Sequence, residues 1–174
     1  MVSVSNASPL IYLAQLPKLK LLRKLFSSIL IASEVLEEIL RGKELGHSEV
    51  IGIEEEVGGL LNVVQLKTEA QAWREKVLAT KGLHKGEASM LALAKQESSE
   101  YVLVDDQIAY NAAKALDFSP LRTPALLLKM AYKKLISLEE LDLLLTELAR
   151  AGFWITAPVH RILMQEARKH LETQ

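Results

Sequence analysis

Five short apolar runs, each followed closely by a segment of helical period, constrain this chain more than any other feature. Val2–Val4, Ile29–Ala32, Asn62–Leu66, Tyr101–Val104 and Ser119–Thr123 are too short for helices, and most are rich in β-branched or aromatic side chains. They read as strands, the last as a strand or a turn. Between them leucines recur at helical spacing, first at Leu10, Leu13 and Leu16, then from Leu19 to Phe26, with Pro17 dividing the stretch into two short helices. Strands that alternate with helices predict an α/β fold, a three-layer arrangement in which a central parallel sheet of four to five short strands is flanked by helices.

Local signals set the expected boundaries. Ser33 is a candidate N-cap, Glu34 suits the first turn, Leu36, Ile39 and Leu40 form an apolar face, and Gly42 reads as the stop. From Gly42 to Gly59 the composition turns polar, with an acidic run at Glu54–Glu56, so a peripheral loop with a short surface helix is expected. Thr68–Thr80 reads as a helix closed by Gly82, and Gly86-Glu87 opens one rich in Ala and Leu. A helix with Ile108, Ala109, Ala112, Ala113 and Leu116 inward follows Asp105-Asp106, and Thr123-Pro124 begins another. Helices near Leu138–Ala149 and Pro158–Leu171 flank Gly152-Phe153-Trp154-Ile155. The expected organisation is one domain over 1–174, with a polar insert near 42–60 and a helical C-terminal extension near 138–174.

Composition narrows the chemistry. A chain of 174 residues can bury one core without staples, and the absence of cysteine removes thiol catalysis and Cys-ligated metal centres. With 21 basic and 22 acidic side chains, bulk charge offers nucleic acid or anionic lipid no long-range attraction, so a phosphate-rich partner needs a local patch or a bound cation. The apolar runs are far too short to span a bilayer, and Met1-Val2-Ser3-Val4 is no secretory signal, so a soluble cytoplasmic protein is expected. There is no G-x-S-x-G, no P-loop and no G-x-G-x-x-G after a strand, which withdraws support from serine-hydrolase, nucleoside-triphosphatase and dinucleotide-binding readings.

In open parallel sheets ligands bind beyond the carboxyl ends of the strands. That rule selects Asn6 and Ser8 after the first strand and Asp105 and Asp106 after the fourth. Adjacent carboxylates repel unless solvent, a donor or a cation compensates them, although either could equally be a helix N-cap. Glu87, at a helix start, has the same two readings. Glu38 lies three residues from Val35 on a helix with an apolar face and can point inward, whereas Glu37 is the more ordinary surface acid; one sequence leaves the choice open. His47, His84, His160 and His170 show no paired metal-ligand spacing and read as surface or packing residues.

Taken in order, Ser5-Asn6-Ala7-Ser8-Pro9-Leu10-Ile11, Ser33-Glu34-Val35-Leu36-Glu37-Glu38-Ile39, Gly86-Glu87-Ala88 and Leu103-Val104-Asp105-Asp106 resemble the PIN domain. The branch they are most similar to is that of small archaeal and bacterial PIN proteins related to VapC toxins. Thr123-Pro124 and Gly152-Phe153 extend the resemblance over most of the chain. It implies a metal-dependent endoribonuclease, the toxin of a toxin–antitoxin pair, with RNA as substrate, an antitoxin protein as partner, a homodimeric state and Mg²⁺ or Mn²⁺ as cofactor. Position by position it implies Glu38, Glu87 and Asp106 as catalytic acids, Asn6 and Asp105 beside them at the metal, and Ser8 as an auxiliary hydroxyl. The first acid of the pattern is an aspartate, and Asn6 stands in its place: an amide oxygen can ligate, but it carries no charge and cannot act as a base. The alternative is therefore a catalytically degenerate PIN-like module that binds RNA or protein. Lys81, Lys85, Arg122 and Lys129 are candidate RNA contacts, and the helices of Leu10–Phe26 and Ala125–Leu135 candidate dimer surfaces.

Overall fold

β1 (Val2–Ser5) is the middle strand of the protein, and its neighbours explain where a ligand can bind. The computed structural model describes residues 2–44 and 48–173, without the side chains of residues 43, 44, 80 and 81. His47 thus lies outside the described residues, as does the side chain of Lys81. The described chain forms two compact units, the first ending at Arg122 and the second starting at Thr123.

In the first unit β1 is followed by α1 (Ala7–Gln15), a 3-10 turn at Leu19–Lys24, β2 (Ser28–Ala32), α2 (Ser33–Glu44), α3 (Glu49–Glu54) and β3 (Leu61–Val64). Then come α4 (Thr68–Lys81), α5 (Lys85–Gln96), β4 (Tyr101–Leu103), α6 (Gln107–Ala115) and β5 (Ser119–Leu121). All five strands pair in parallel in the order β3-β2-β1-β4-β5, with Val4 of β1 opposite Leu30 of β2 and Val102 of β4. The chain builds outward from β1 to β2 and β3, then returns to β1's other side for β4 and β5. This reversal makes the β1–β4 boundary a topological switch point, where side chains beyond the strand ends face an open crevice.

Burial explains the sequence of the central strands. Ser3, Val4 and Ser5 are fully buried, as expected for a parallel strand covered on both faces. α5 is the most enclosed helix: every residue from Gly86 to Ala94 is buried, and its small Gly, Ala and Ser side chains let it lie close against β1, β2 and β4. Gly82 ends α4 in the left-handed conformation at φ 63°, which glycine adopts without steric cost.

Several boundaries differ from expectation. α2 runs through Gly42 to Glu44, because one glycine costs a helix about 1 kcal/mol, which tertiary contacts outweigh. The segment after Pro17 winds as a 3-10 turn, whose three-residue period places Leu19 and Leu22 together in the core. The polar insert is also less peripheral than its composition suggests. Val50 and Ile53 of α3 are buried, and the buried Glu56 accepts a 3.2 Å hydrogen bond from Arg23 Nε, so a charge partner permits a carboxylate inside.

The second unit holds α7 (Thr123–Tyr132), α8 (Leu138–Arg150) and α9 (Ala157–Glu172), which pack against one another. Ser137 Oγ accepts from Glu140 N–H at 3.1 Å and Thr156 Oγ1 from Val159 N–H at 3.4 Å, so hydroxyl caps start α8 and α9. In the segments Leu10–Phe26 and Ala125–Leu135, Leu10, Leu13, Leu22, Phe26, Leu126, Leu127 and Met130 are buried within the chain, while Ile11, Leu21, Leu128 and Leu135 stay half-buried. Large exposed apolar side chains occur at Val2, Ile51, Val57, Val63 and Ile108 of the first unit and at Leu143, Trp154, Val159 and Ile162 of the second. No helix among the described residues is long and apolar enough to cross a membrane.

Candidate active site

The switch point opens into a cleft of about 460 Å³ in the first unit. Asn6, Ser8, Glu38, Glu87 and Asp106 all line it, joined by Glu34, Glu37, Arg41, His84, Lys85 and Gly86. Four separate elements therefore deliver the sequence-selected residues to one place.

Asn6 is fixed first. Its backbone N–H donates to Leu103 O at 2.9 Å, prolonging the β1–β4 ladder by one residue, and Ser5 Oγ donates to Asn6 O at 2.8 Å. The side chain is 4% exposed, and its Oδ1 is a buried acceptor without a hydrogen-bond partner among the described residues. A buried acceptor left unpaired costs about 1–3 kcal/mol, so Asn6 Oδ1 is available to a donor from outside the protein, water or a cation alike.

Helix α2 supplies the opposite wall. Val35 and Ile39 are fully buried and set its rotation. Glu34, Glu37, Glu38 and Arg41, spaced at i, i+3, i+4 and i+7, thereby share the face that lines the cleft. Glu34 is engaged in an ion pair with Arg74. Glu38 is exposed as a residue, but its carboxylate lies over Gly86: a methyl group at Gly86 would sit 2.6 Å from Glu38 Oε2 and 3.4 Å from Asn6 Oδ1. Both oxygens thus converge on one point above the start of α5. Desolvation there raises the Glu38 pKa above its ordinary value, against the lowering pull of Arg41 and His84.

Glu87 and Asp106 each hold a helix start. Glu87 is 6% exposed, and its Oε2 accepts from His84 N–H at 2.9 Å. Burial raises its pKa, the His84 hydrogen bond opposes the rise, and the charges of Asp106 and Glu38 add to it. Asp106 is the N-cap of α6, its Oδ1 accepting from Ile108 N–H at 2.7 Å and Ala109 N–H at 2.9 Å. Capping and cleft position thus coexist, because each cap engages one carboxylate oxygen.

Asp105 takes a different place. It is half-buried, it stands outside the cleft lining, and its charge adds to the burial that raises the Tyr12 pKa. Among the candidate RNA contacts Lys85 lines the cleft. Arg122 instead donates to Gln107 Oε1 at 2.6 Å and sets its guanidinium 4.8 Å from the Tyr110 ring centre. Lys129 belongs to α7 of the second unit. Arg41 went unremarked in the sequence, and His84, expected to be a surface or packing residue, lines the cleft as well. Arg41 was legible as the fourth member of the α2 stripe, and His84 as the residue before Lys85-Gly86-Glu87.

A family model of the PIN domain matches residues 2–169. The chain belongs to the PIN-domain family. No curated protein matches it. Among solved structures, the crystal structure of VapBC2 from Rickettsia felis bound to a DNA fragment from their promoter is similar over 70% of this chain and 98% of that chain, with a TM-score of 0.50 and 16% identity. At that identity the likeness shows the fold, and it agrees with the parallel sheet and flanking helices of this PIN domain.

The cleft of this PIN domain fits a hard divalent cation in donor chemistry. The carboxylates and the Asn6 amide offer it oxygens, one of them buried without a partner among the described residues. Among the described residues no three His, Cys, Asp or Glu groups gather closely enough to hold a metal by themselves, so the Asn6 amide and water would have to complete any shell. Mg²⁺ commonly keeps several waters beside one or two carboxylates, and this sparse set suits that habit.

Proposed function

We propose that this PIN domain is a metal-dependent endoribonuclease that hydrolyses RNA phosphodiester bonds, acting in the cytoplasm as the toxin of a toxin–antitoxin pair. The observation that carries the proposal is the convergence of the orphaned Asn6 Oδ1 and the Glu38 carboxylate above Gly86, in a cleft shared with Glu87 and Asp106.

In this reading the Asn6 amide and one or two of the carboxylates of Glu38, Glu87 and Asp106 hold Mg²⁺ or Mn²⁺, with water between the ion and the remaining acids and with Ser8 and Asp105 as auxiliary groups reached through water. A divalent ion bound there would supply positive charge to a phosphodiester and acidify water beside it. Glu38 and Glu87 are the carboxylates of the cleft suited to accept a proton from attacking water, whichever of them is not taken up by the ion. Arg41, His84 and Lys85 give the acidic cleft a rim able to hold the phosphate chain; Lys81, Arg122 and Lys129 remain candidate RNA contacts by their charge alone. The likeness to VapBC2 supports an antitoxin protein as partner. The exposed apolar side chains of the second unit support a homodimer.

Asn6 favours a second reading, a degenerate PIN module that binds RNA or protein without cleaving, since the amide brings no charge to the buried end of the site. Incubation of single-stranded RNA with the protein and Mn²⁺ separates the two. Cleavage abolished by chelator, by Glu38→Gln and by Asp106→Asn supports the nuclease; binding without cleavage at any metal concentration supports the module.

A further inference from the structure

We infer that Gly86 is a positioning residue whose missing side chain allows the Glu38 carboxylate and the Asn6 amide oxygen to converge on a divalent cation. The inference rests on the metal reading of the cleft. Glycine is not required here by the backbone. Gly86 is the second residue of α5, and it is absent from the residues with positive φ, which include Gly58, Gly82 and Gly152. Alanine is the better helix former, so local propensity argues against glycine at this position. What demands it is space: a methyl group would lie 2.6 Å from Glu38 Oε2, 3.8 Å from Glu38 Cδ and 3.4 Å from Asn6 Oδ1. The first distance is far inside contact, and the third leaves no slack beside a side chain that is 4% exposed.

The two oxygens differ in how they can respond. Asn6 is buried and its backbone is tied to Leu103, so it cannot withdraw. Glu38 ends a flexible, exposed side chain on α2, so it can rotate into solvent at little cost to the fold. Gly86→Ala should therefore leave a folded protein whose Glu38 carboxylate has left the cleft. A role confined to helix packing predicts no such effect, because Glu38 contributes nothing to the α5 backbone.

The test compares Gly86→Ala with the original protein and with Gly52→Ala, a helical glycine with nothing within 4 Å of an added methyl. In chelator, nuclear Overhauser contacts between the Gly86 α-protons and the Glu38 γ-protons should be present in the original protein. In Gly86→Ala the Glu38 γ-protons should show no contact with the α-proton or the introduced methyl group at that position. Mn²⁺ affinity, measured by calorimetry, should fall at least tenfold in Gly86→Ala and stay unchanged in Gly52→Ala. Shortening the acid in the double variant Gly86→Ala/Glu38→Asp should recover part of the lost affinity. Equal Mn²⁺ affinity for the original protein and a folded Gly86→Ala overturns the positioning role while leaving the metal reading intact. No Mn²⁺ binding by the original protein overturns the metal reading and this inference with it, even where the Glu38 contact is observed.

Discussion

The backbone N–H of Asn6 donates to the carbonyl of Leu103 at 2.9 Å, so the residue that would begin the acidic site is stitched to the last residue of the strand that leads on to Asp106. A substitution confined to the Asn6 side chain leaves this bond in place. Asn6→Asp therefore changes charge without moving the backbone. In chelator the added carboxylate lies buried near Glu38 and Glu87, and stability should fall by about 1–3 kcal/mol. With Mn²⁺ the order should invert, the aspartate protein binding at least tenfold more tightly by calorimetry. Equal affinity for both forms would remove Asn6 from the site.

Protonation of the cleft acids gives a pH dependence of definite sign. Glu38 and Glu87 titrate above the ordinary glutamate value of 4.5 in the folded protein, chiefly through desolvation. Over the window above 4.5 the folded state holds more protons than the unfolded one, so their contribution is complete below that pH and is lost as pH rises through the folded values. Urea melts in chelator across about pH 4 to 8 should show a decline that Glu38→Gln flattens. Arg41→Gln removes a charge that lowers the Glu38 pKa and should carry the decline to higher pH. An unchanged slope in Glu38→Gln would mean that its carboxylate is not desolvated in solution.

Asp106 allows capping and cleft chemistry to be pulled apart. Asp106→Ala removes both acceptor contacts at the start of α6 and should cost about 1 kcal/mol of stability. Asp106→Asn retains a capping oxygen, so its melting temperature should stay close to that of the original protein while its Mn²⁺ response and RNA cleavage disappear. Full cleavage by Asp106→Asn would show that the residue serves the helix alone.

Self-association is expected to run through the second unit. Trp154 is 87% exposed, and Val159 and Ile162 lie one turn apart on α9. Sedimentation at micromolar concentrations should show a dimer that Trp154→Lys weakens. A monomer throughout that range would count against the dimer.

The sheet was legible because its central strands carry little besides buried apolar and small residues, and because Asp106 and Glu87 follow strong strand and helix signals. The cleft's second wall was harder to read. That Glu37, Glu38 and Arg41 all face the site follows from how α2 is rotated by Val35 and Ile39, a property of packing that local sequence expresses only as a stripe. Of the neighbours Asp105 and Asp106 only the second lines the cleft, and it is the one that caps α6. The insert was misjudged for a related reason: Glu56 reads as surface until Arg23 supplies its partner from 33 residues away.

The enclosure of α5 sets a hierarchy of opening across the cleft. Hydrogen exchange through subglobal unfolding is slowest where side chains are most completely packed, and the run from Gly86 to Ala94 is buried at every position. Glu87 therefore rides on a segment whose amides should exchange only when the whole first unit unfolds. Glu38 and Arg41 project from a helix with one face in water. In the proposed nuclease a substrate or cation would draw the α2 side chains inward but meet Glu87 already in place. Adaptation to a ligand is thereby confined to one wall of the cleft.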